Sequence, residues 1–247
     1  MDDLSPSELL VSIHQPNFFP RTNVLTKIFN SDLWIVLDDV QFASREWQNR
    51  AKLSFLKTPQ IEYWLTLPII KIRGQRTLIN QVVIADNWNP CRALRSLQRS
   101  YSRSISWNII HECAISTFSK DFHNDFLSIT IASAERILRY LGWGGKILFS
   151  SSLVKRNDKN LRLLDICKSV GAYGYLCGSG GREYLNSSVF LKEKIKLFSI
   201  NPILSSTMKI SKRRWCKLSF LDLLAHSGED QLQALVNTSK NYLIELH

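Results

Sequence analysis

The residues that decide the fold are Leu9-Leu10-Val11-Ser12-Ile13-His14-Gln15-Pro16 and, further along the chain, Leu33-Trp34-Ile35-Val36-Leu37-Asp38-Asp39. Each stretch is a short apolar run that ends in polar residues, a pattern typical of a buried strand that enters a loop. Between them, Pro20 and the amphipathic residues 23–29 favour a helix. Strand, loop, helix and strand in this order form the unit from which parallel sheets are built.

The rest of the chain continues this alternation. The aromatic segment 41–68 alternates in polarity and fits either strands or an irregular excursion over the sheet. No internal repeat or linker divides the sequence. We therefore predict a single α/β domain over residues 1–247, with a mainly parallel, Rossmann-like central sheet. Further strands are predicted at 78–85, 147–149, 173–177 and 195–200, and further helices at 89–101, 121–141, 158–170, 218–225 and 230–244.

The composition is that of a folded protein that spans no membrane. The 247 residues are 45% apolar and 21% charged, and every apolar run is too short for a transmembrane helix. The acidic start of the chain lacks the features of a signal peptide, so a cytoplasmic location is expected. The five cysteines are odd in number and scattered, which fits small buried side chains in a reducing compartment better than disulfides or zinc.

The net charge of +11, from 32 Lys and Arg against 21 Asp and Glu, indicates a phosphate-bearing partner. Such a positive field attracts several kinds of anionic partner: a nucleotide, a nucleotide-linked sugar, an RNA such as tRNA, or an anionic membrane surface. Two basic sets stand out: the first fits either a solvated face or a surface that binds phosphates, and the second fits either a flexible basic loop or a site for RNA or an acidic lipid headgroup. The first set is Arg92, Arg95, Arg99 and Arg103, at helical spacing, and the second is Lys209, Lys212, Arg213, Arg214 and Lys217 around Trp215.

Polar residues that follow the first two strands form the candidate catalytic site. His14, with Gln15 and Asn17, follows the first strand, and Asp38 and Asp39 follow the second. Ligands of parallel α/β sheets bind at these carboxyl ends, where a histidine serves as acid or base, or merely caps a backbone carbonyl. Adjacent strand residues face opposite ways, so at most one aspartate enters the site while the other pairs with an arginine or caps a turn.

Two further segments are candidates for substrate binding. Gln41, Asn49 and Arg50, near Arg45 and Gln48, carry amide and guanidinium groups that suit oxyanions, carboxylates and sugar hydroxyls, although a solvated loop explains single members. A glycine-rich segment after a later strand brings backbone amides close to an anion, or forms a plain tight turn. Its candidate residues are Gly178, Ser179, Gly180, Gly181, Arg182 and Tyr184. No motif assigns a metal ligand or requires a cofactor.

Several of these segments together resemble the WbqC-like family over nearly the whole chain. The chain departs from the family pattern at residues 21–25, which lack the usual tryptophan and glycine-tyrosine, and at 101–107, which lack a proline and an aromatic pair. The first departure leaves the shape of the loop after Pro20 open. The matching segments are Ile13–Pro20, Lys27-Ile28, Ser31-Asp32, Leu37–Phe42, Gln48–Arg50, Trp64–Pro68, Tyr175–Leu185 and Leu218–Leu224.

A looser similarity links the opening of the chain to the HIGH-type nucleotidyltransferase and pantothenate synthetase superfamily. Both share a strand, a histidine-containing loop, a helix and a strand that ends in aspartate. The second histidine of that signature is missing here, and Asn17 stands near its place. The analogy concerns the fold more than the chemistry.

The resemblance to the WbqC-like family implies a role in the synthesis of O-antigen, capsule or other surface polysaccharide, or of specialised metabolites. One implied activity is an enzyme that joins an acyl or aminoacyl group to a nucleotide-linked amino sugar or a related small amine. His14 would then be the acid or base, Asp38 or Asp39 would hold the acceptor, and Arg50 with the Gly178–Gly181 loop would bind phosphate or carboxylate. Two alternatives are an RNA-binding protein that takes its aminoacyl group from charged tRNA, and a non-catalytic assembly factor for polysaccharide synthesis.

Overall fold

Ten strands and eight α-helices account for the regular structure in the described part of the chain. The structure is a computed structural model that describes residues 9–119, 125–153, 156, 158–178, 185–200, 216–239 and 243–246. The strands are β1 (Leu10–His14), β2 (Leu33–Val36), β3 (Arg50–Ser54), β4 (Glu62–Thr66), β5 (Ile69–Lys71), β6 (Val82–Ile84), β7 (Lys146–Phe149), β8 (Gly174–Cys177), β9 (Lys196–Ile200) and β10 (Leu243–Leu246).

Five of the eight helices begin where a side chain caps a free N–H group of the first turn. Asn89, Asp125, Asp158, Asn186 and Ser219 each accept a backbone hydrogen bond at a helix start. The helices are α1 (Thr22–Phe29), α2 (Pro90–Tyr101), α3 (Trp107–Thr117), α4 (Phe126–Tyr140), α5 (Lys159–Ser169), α6 (Ser187–Lys192), α7 (Phe220–Ser227) and α8 (Glu229–Ser239).

A six-stranded sheet forms the centre of the fold, in the order β10-β9-β8-β1-β2-β7. All neighbouring strands are parallel except β10, which pairs antiparallel with β9. Helix α1 packs on one face of the sheet, in a core cluster with Trp34 and Val36. Helix α5 packs on the other face, in a cluster with Val11, Ile13 and Ile35. The α/β class and the mainly parallel sheet predicted from sequence are therefore confirmed.

The segment 41–68 forms strands rather than an irregular excursion. Strands β3 and β4 make an antiparallel hairpin in which Arg50 pairs with Thr66 and Ser54 pairs with Glu62. Strands β5 and β6 make a second, shorter hairpin. Both hairpins belong to the long connection between β2 and β7.

Two predicted elements are wrong in part. Residues 78–85 form a 3₁₀ turn at Ile79–Gln81 before the short strand β6, because the Gln81 side chain accepts from the Leu78 N–H and closes a turn. Residues 230–244 do not form one helix, because Leu243–Leu246 form β10 and pair with β9. Of the predicted helix 121–141, residues 121–124 lie outside the described part of the chain.

Candidate functional site

The strand order reverses between β1 and β8. From β1 the chain passes to β2 and β7 on one side, and then returns to place β8 on the other side of β1. Leu10 pairs with Gly174 and Val11 with Tyr175, so continuing this register brings His14 beside Gly178 at the carboxyl ends of the two strands. Such a switch point is where open α/β sheets bind ligands. We call the space bounded by these strand ends the β1/β8 crevice.

His14 is a neutral imidazole, and no described residue forms a hydrogen bond with its Nε2. Burial, together with the positive charges of Lys27 and Arg21, holds the pKa of His14 well below its ordinary value. Its Nδ1 lies 2.9 Å from the carbonyl oxygen of Gln15, and because a carbonyl only accepts, Nδ1 carries the proton. The lone pair of the neutral ring is therefore on Nε2, which is the nitrogen that can take a proton from a substrate.

Lys27 places a buried amine against the same strand. The side chain is only 5% exposed, and its Nζ donates to the carbonyl oxygen of Ile13 at 3.0 Å. Burial lowers the pKa of Lys27 to about 8, while nearby Cys177 opposes that shift and Arg21 adds to it. Burial also lowers the pKa of Arg21, which lies 4.3 Å above the Trp47 ring. The surroundings of His14 are thus cationic.

The loop after His14 is held by amide side chains. Gln48 is buried, donates from Nε2 to Gln15 Oε1 at 2.7 Å and accepts the Ala43 N–H at its own Oε1. Asn17 is also buried, and its Nδ2 donates to the Pro16 carbonyl at 3.0 Å. Its Oδ1 has no hydrogen-bond partner among the described residues. An orphaned buried acceptor of this kind suits a water molecule or a ligand donor.

Both strand-end aspartates are already engaged within the protein. Asp38 is buried and accepts from the Ser151 N–H at 2.9 Å, from Ser150 Oγ and from Asn80 Nδ2. Asp39 accepts from Ser150 Oγ and forms an ion pair with Arg162 of α5. One aspartate caps a turn and the other pairs with an arginine. These contacts fasten the end of β2 to the end of β7, one strand away from the crevice.

The remaining polar candidates make separate local contacts. The exposed Gln41 donates to the Gln75 carbonyl, and Asn49 donates to the Leu67 carbonyl at 3.0 Å. The Arg50 guanidinium lies 4.0 Å above the Trp64 ring and donates to the Glu46 carbonyl. The structure therefore places none of these three side chains in a hydrogen bond with His14, Asp38 or Asp39.

The two segments that the sequence assigned to anion binding fall largely outside the described residues. Gly178 follows β8 and is partly exposed, with open space where a side chain would be. The predicted residues Ser179, Gly180, Gly181, Arg182 and Tyr184 lie outside the described part of the chain, as do Lys209, Lys212, Arg213, Arg214 and Trp215. Of the second basic set only Lys217 is described, and it is exposed.

The first basic set is exposed along α2. Arg92, Arg95, Arg99 and Arg103 all lie at the surface, and within the described ranges none forms an ion pair. A cavity of about 290 Å³ lies near Arg92, and a second, of about 620 Å³, lies near Arg99 and Arg103. The stripe predicted from helical spacing thus exists and borders two cavities.

A polar network elsewhere brings together serine, histidine and aspartate. Asp222 of α7 is fully buried and accepts from the N–H and Oγ of Ser54 and from the Tyr101 hydroxyl. His226 Nε2 lies 3.1 Å from Ser54 Oγ and 3.6 Å from Asp222 Oδ2. A catalytic triad needs the carboxylate on the other ring nitrogen and an accessible hydroxyl. The network instead joins β3 to α7.

Within the residues that the structure describes, no cluster of three or more His, Cys, Asp or Glu side chains is arranged to hold a metal ion. The same residues include no helix long and apolar enough to cross a membrane.

Comparison with known proteins places the chain in a family. The profile described as "WbqC-like protein family" matches residues 15–234. The chain belongs to the WbqC-like family. It is also 25% identical, over 188 residues, to an uncharacterised protein of Mycobacterium tuberculosis, an alignment that covers 76% of this chain and 80% of that protein. No solved structure matches the chain significantly.

In this WbqC-like chain, sequence reasoning about the site missed Lys27, Arg21, Ser150 and Arg162. The signal for Lys27 was present, since it follows Val24 by three residues and precedes Ile28 on a helix whose neighbouring positions are apolar. Ser150 and Arg162 gave no such signal. Their contacts with Asp39 join residues more than a hundred positions apart in the sequence.

Proposed function

We propose that the β1/β8 crevice is the active site of an enzyme that transfers an acyl or aminoacyl group to an amine. The acceptor would be a nucleotide-linked amino sugar or a related small molecule. The observation that carries the proposal is the state of His14, a neutral ring whose Nδ1–H is bound to a carbonyl and whose Nε2 has no hydrogen-bond partner among the described residues. A base of this kind, at a strand end where α/β sheets bind ligands, suits proton removal during attack on an acyl group.

The proposed reaction needs one proton acceptor and an environment that tolerates negative charge. The amine nitrogen attacks the acyl carbon, a C–N bond forms, and the bond to the leaving group breaks with its electron pair. His14 Nε2 accepts the proton that the nitrogen loses and returns it to the leaving group. Lys27 and Arg21 supply positive charge close to the oxyanion or to a phosphate of the acceptor.

The strand-end aspartates have a positioning role in this proposal. Asp38 and Asp39 hold the turn after β7 and the side chain of Arg162, so they shape the wall of the site from one strand away. Gly178, with the residues that follow it, would approach the acceptor phosphate. Arg50, Gln41 and Asn49 stay candidates for substrate contact.

The test replaces the base and measures folding and product separately. His14→Ala should retain a melting temperature close to the wild-type value while turnover falls about a hundred-fold to ten-thousand-fold. The matched control is His111→Ala on α3, because His111 is only partly buried and its ring is tilted by 41° against that of Trp107, with the centroids 5.1 Å apart. Full product from a folded His14→Ala protein would contradict the catalytic role and favour an assembly factor.

A second candidate function, with aminoacyl-tRNA as the donor, is favoured by the exposed Arg92, Arg95 and Arg99 of α2 and by Arg103 just beyond its end. If this surface binds RNA, the affinity for tRNA should fall by orders of magnitude over a several-fold rise in salt. Replacing Arg92, Arg95 and Arg99 with glutamate should weaken the affinity for tRNA further. Titration at low salt that shows no binding to bulk tRNA would exclude this donor.

A further inference from the structure

We propose that the cavity between the β3–β4 turn and the C-terminal end of α2 binds a nucleoside phosphate. Its volume of about 620 Å³ falls within the usual range of small-molecule sites. The residues on which the proposal rests line this cavity. They are Lys57, Arg99 and Arg103 as cations, Phe55 and Ile61 as apolar surface, and Ser100 on the wall.

The three cations are available for phosphate. Lys57, Arg99 and Arg103 are exposed, and the described part of the chain offers none of them an ion pair, whereas seven other Lys and Arg side chains there have carboxylate partners. Residues 57–103 contain eight Lys and Arg against two acidic residues, so no local surplus of carboxylates offsets this charge. Guanidinium and ammonium groups that converge on a cavity bind phosphate oxygens through charge-assisted hydrogen bonds.

The apolar side of the cavity favours a ring over a bare anion. Phe55 is half-buried, with its ring centroid 5.0 Å from that of Tyr63, and Ile61 is 52% exposed. Ser100 is held in place, since its Oγ donates to the Ser96 carbonyl and lies 2.7 Å from the Tyr63 hydroxyl. A nucleobase packed on Phe55 and Ile61 would cover this surface while its phosphates meet the cations.

This site is separate from the β1/β8 crevice and does not depend on the proposed function. Strand β3 begins at Arg50, next to the Gln48 that contacts Gln15, and it ends at Ser54, next to the cavity residue Phe55. Five strand residues extend over roughly 13 Å. The cavity therefore lies at the far end of the hairpin from the loop that carries His14.

The test is calorimetric titration of the full chain at low ionic strength with UDP, ADP, inorganic pyrophosphate and uridine. Both nucleoside diphosphates should bind saturably and more tightly than pyrophosphate or uridine. Lys57→Ala and Arg99→Ala should each weaken binding about tenfold, the loss expected for one charge-assisted contact. Ile61→Ser should weaken the binding of both nucleotides and leave the binding of pyrophosphate unchanged.

Two controls separate this cavity from the general positive field and from the crevice. Arg92→Ala removes the same charge from the other end of α2 and should change the affinity less than about twofold if the contacts are local. His14→Ala should leave nucleotide affinity unchanged. The proposal would be overturned if Arg92→Ala weakened nucleotide binding as much as Arg99→Ala does, or if His14→Ala abolished it. It would also be overturned if no nucleotide bound saturably, or if only tRNA bound.

Discussion

His14 and His226 lie in opposite electrostatic surroundings. His226 adjoins a fully buried carboxylate, Asp222, whose oxygen is engaged by Ser54 and Tyr101. His14 lies at a strand end, and the charged groups that act on it are the cations Lys27 and Arg21. Residue types alone would favour the serine, histidine and aspartate set as the catalytic one. Hydrogen bonds within the protein occupy the first set, whereas no described residue bonds to Nε2 of His14, and for this reason the proposed base is His14.

The largest effect should come from the buried carboxylate. Asp222→Ala removes the acceptor of the Ser54 N–H, the Ser54 hydroxyl and the Tyr101 hydroxyl, so we expect the free energy of unfolding to fall by about 3 kcal/mol or more. Urea denaturation measures this loss. Asp230→Ala, an exposed carboxylate on α8, is the control and should change stability by less than about 0.5 kcal/mol. A similar small change in both variants would show that the network does not stabilise the fold.

Lys27 tests the cationic surroundings of His14 through the pH dependence of stability. Its pKa is about 8 in the folded state and 10.5 when unfolded, so between these values the unfolded chain binds more protons and stability rises with pH. Lys27→Met should remove this rise and should be more stable than wild type at pH 7, by at most about 3 kcal/mol.

The measurement is the urea midpoint at several pH values from 7 to 10, with the exposed Lys57→Met as the control. Wild type and the control should share one pH profile, while the stability advantage of Lys27→Met over both should shrink as the pH rises, because the buried thiols of Cys113 and Cys167, whose pKa values burial raises, act equally in all three proteins. An equal slope in Lys27→Met would show that another group titrates.

Asp39 tests whether a strand-end carboxylate stabilises the fold, as Asp222 does, or serves the proposed active site, as His14 does. Its ion pair with Arg162 is largely buried, and Asp39→Asn removes the charge but keeps one acceptor oxygen, so it should cost about 1.5–3 kcal/mol. Glu193→Gln breaks the exposed pair with Lys168 and should cost less than about 1 kcal/mol. Denaturation at two salt concentrations compares the pairs. If Asp39→Asn left stability unchanged but abolished turnover, Asp39 would have a substrate-binding role and not a positioning role.

The smallest effect on stability should come from His14. At pH 8, His14→Gln should change the free energy of unfolding by about 1 kcal/mol or less, since among the described residues the side chain bonds only to the Gln15 carbonyl. Because the pKa of folded His14 is depressed, wild type should lose stability as pH falls below about 6.5, when only the unfolded form protonates. Thermal melts between pH 5 and 7 should show a shallower decline in His14→Gln than in His111→Gln. Identical declines would mean that folded His14 titrates normally.

The opening of the fold could be predicted from sequence because its signals are local. The apolar runs of β1 and β2 and the amphipathic α1 are each contiguous, and their bounds agree with the structure to within one or two residues. Strand β10 could not be predicted in this way. Leu243–Leu246 continue a helical pattern in the sequence, and only pairing with β9 makes them a strand.

The candidate site, too, could be predicted only where the sequence signal is local. Position after a strand identified His14, and the register of β1 with β8 places it beside Gly178. The roles of Asp38 and Asp39 depend on Ser150, Ser151 and Arg162, which are distant in sequence. Lys27 was missed because a lysine is usually solvated, and only the tertiary burial of α1 forces its amine against the Ile13 carbonyl.

The pairing of β1 with β8 also determines when the site can exist during synthesis. Leu10 pairs with Gly174, so the second wall of the crevice leaves the ribosome long after the first. Until β8 docks, one side of β1 stays unpaired, and the wall of the crevice that carries Gly178 is missing. The crevice therefore forms only after the chain has been translated as far as β8.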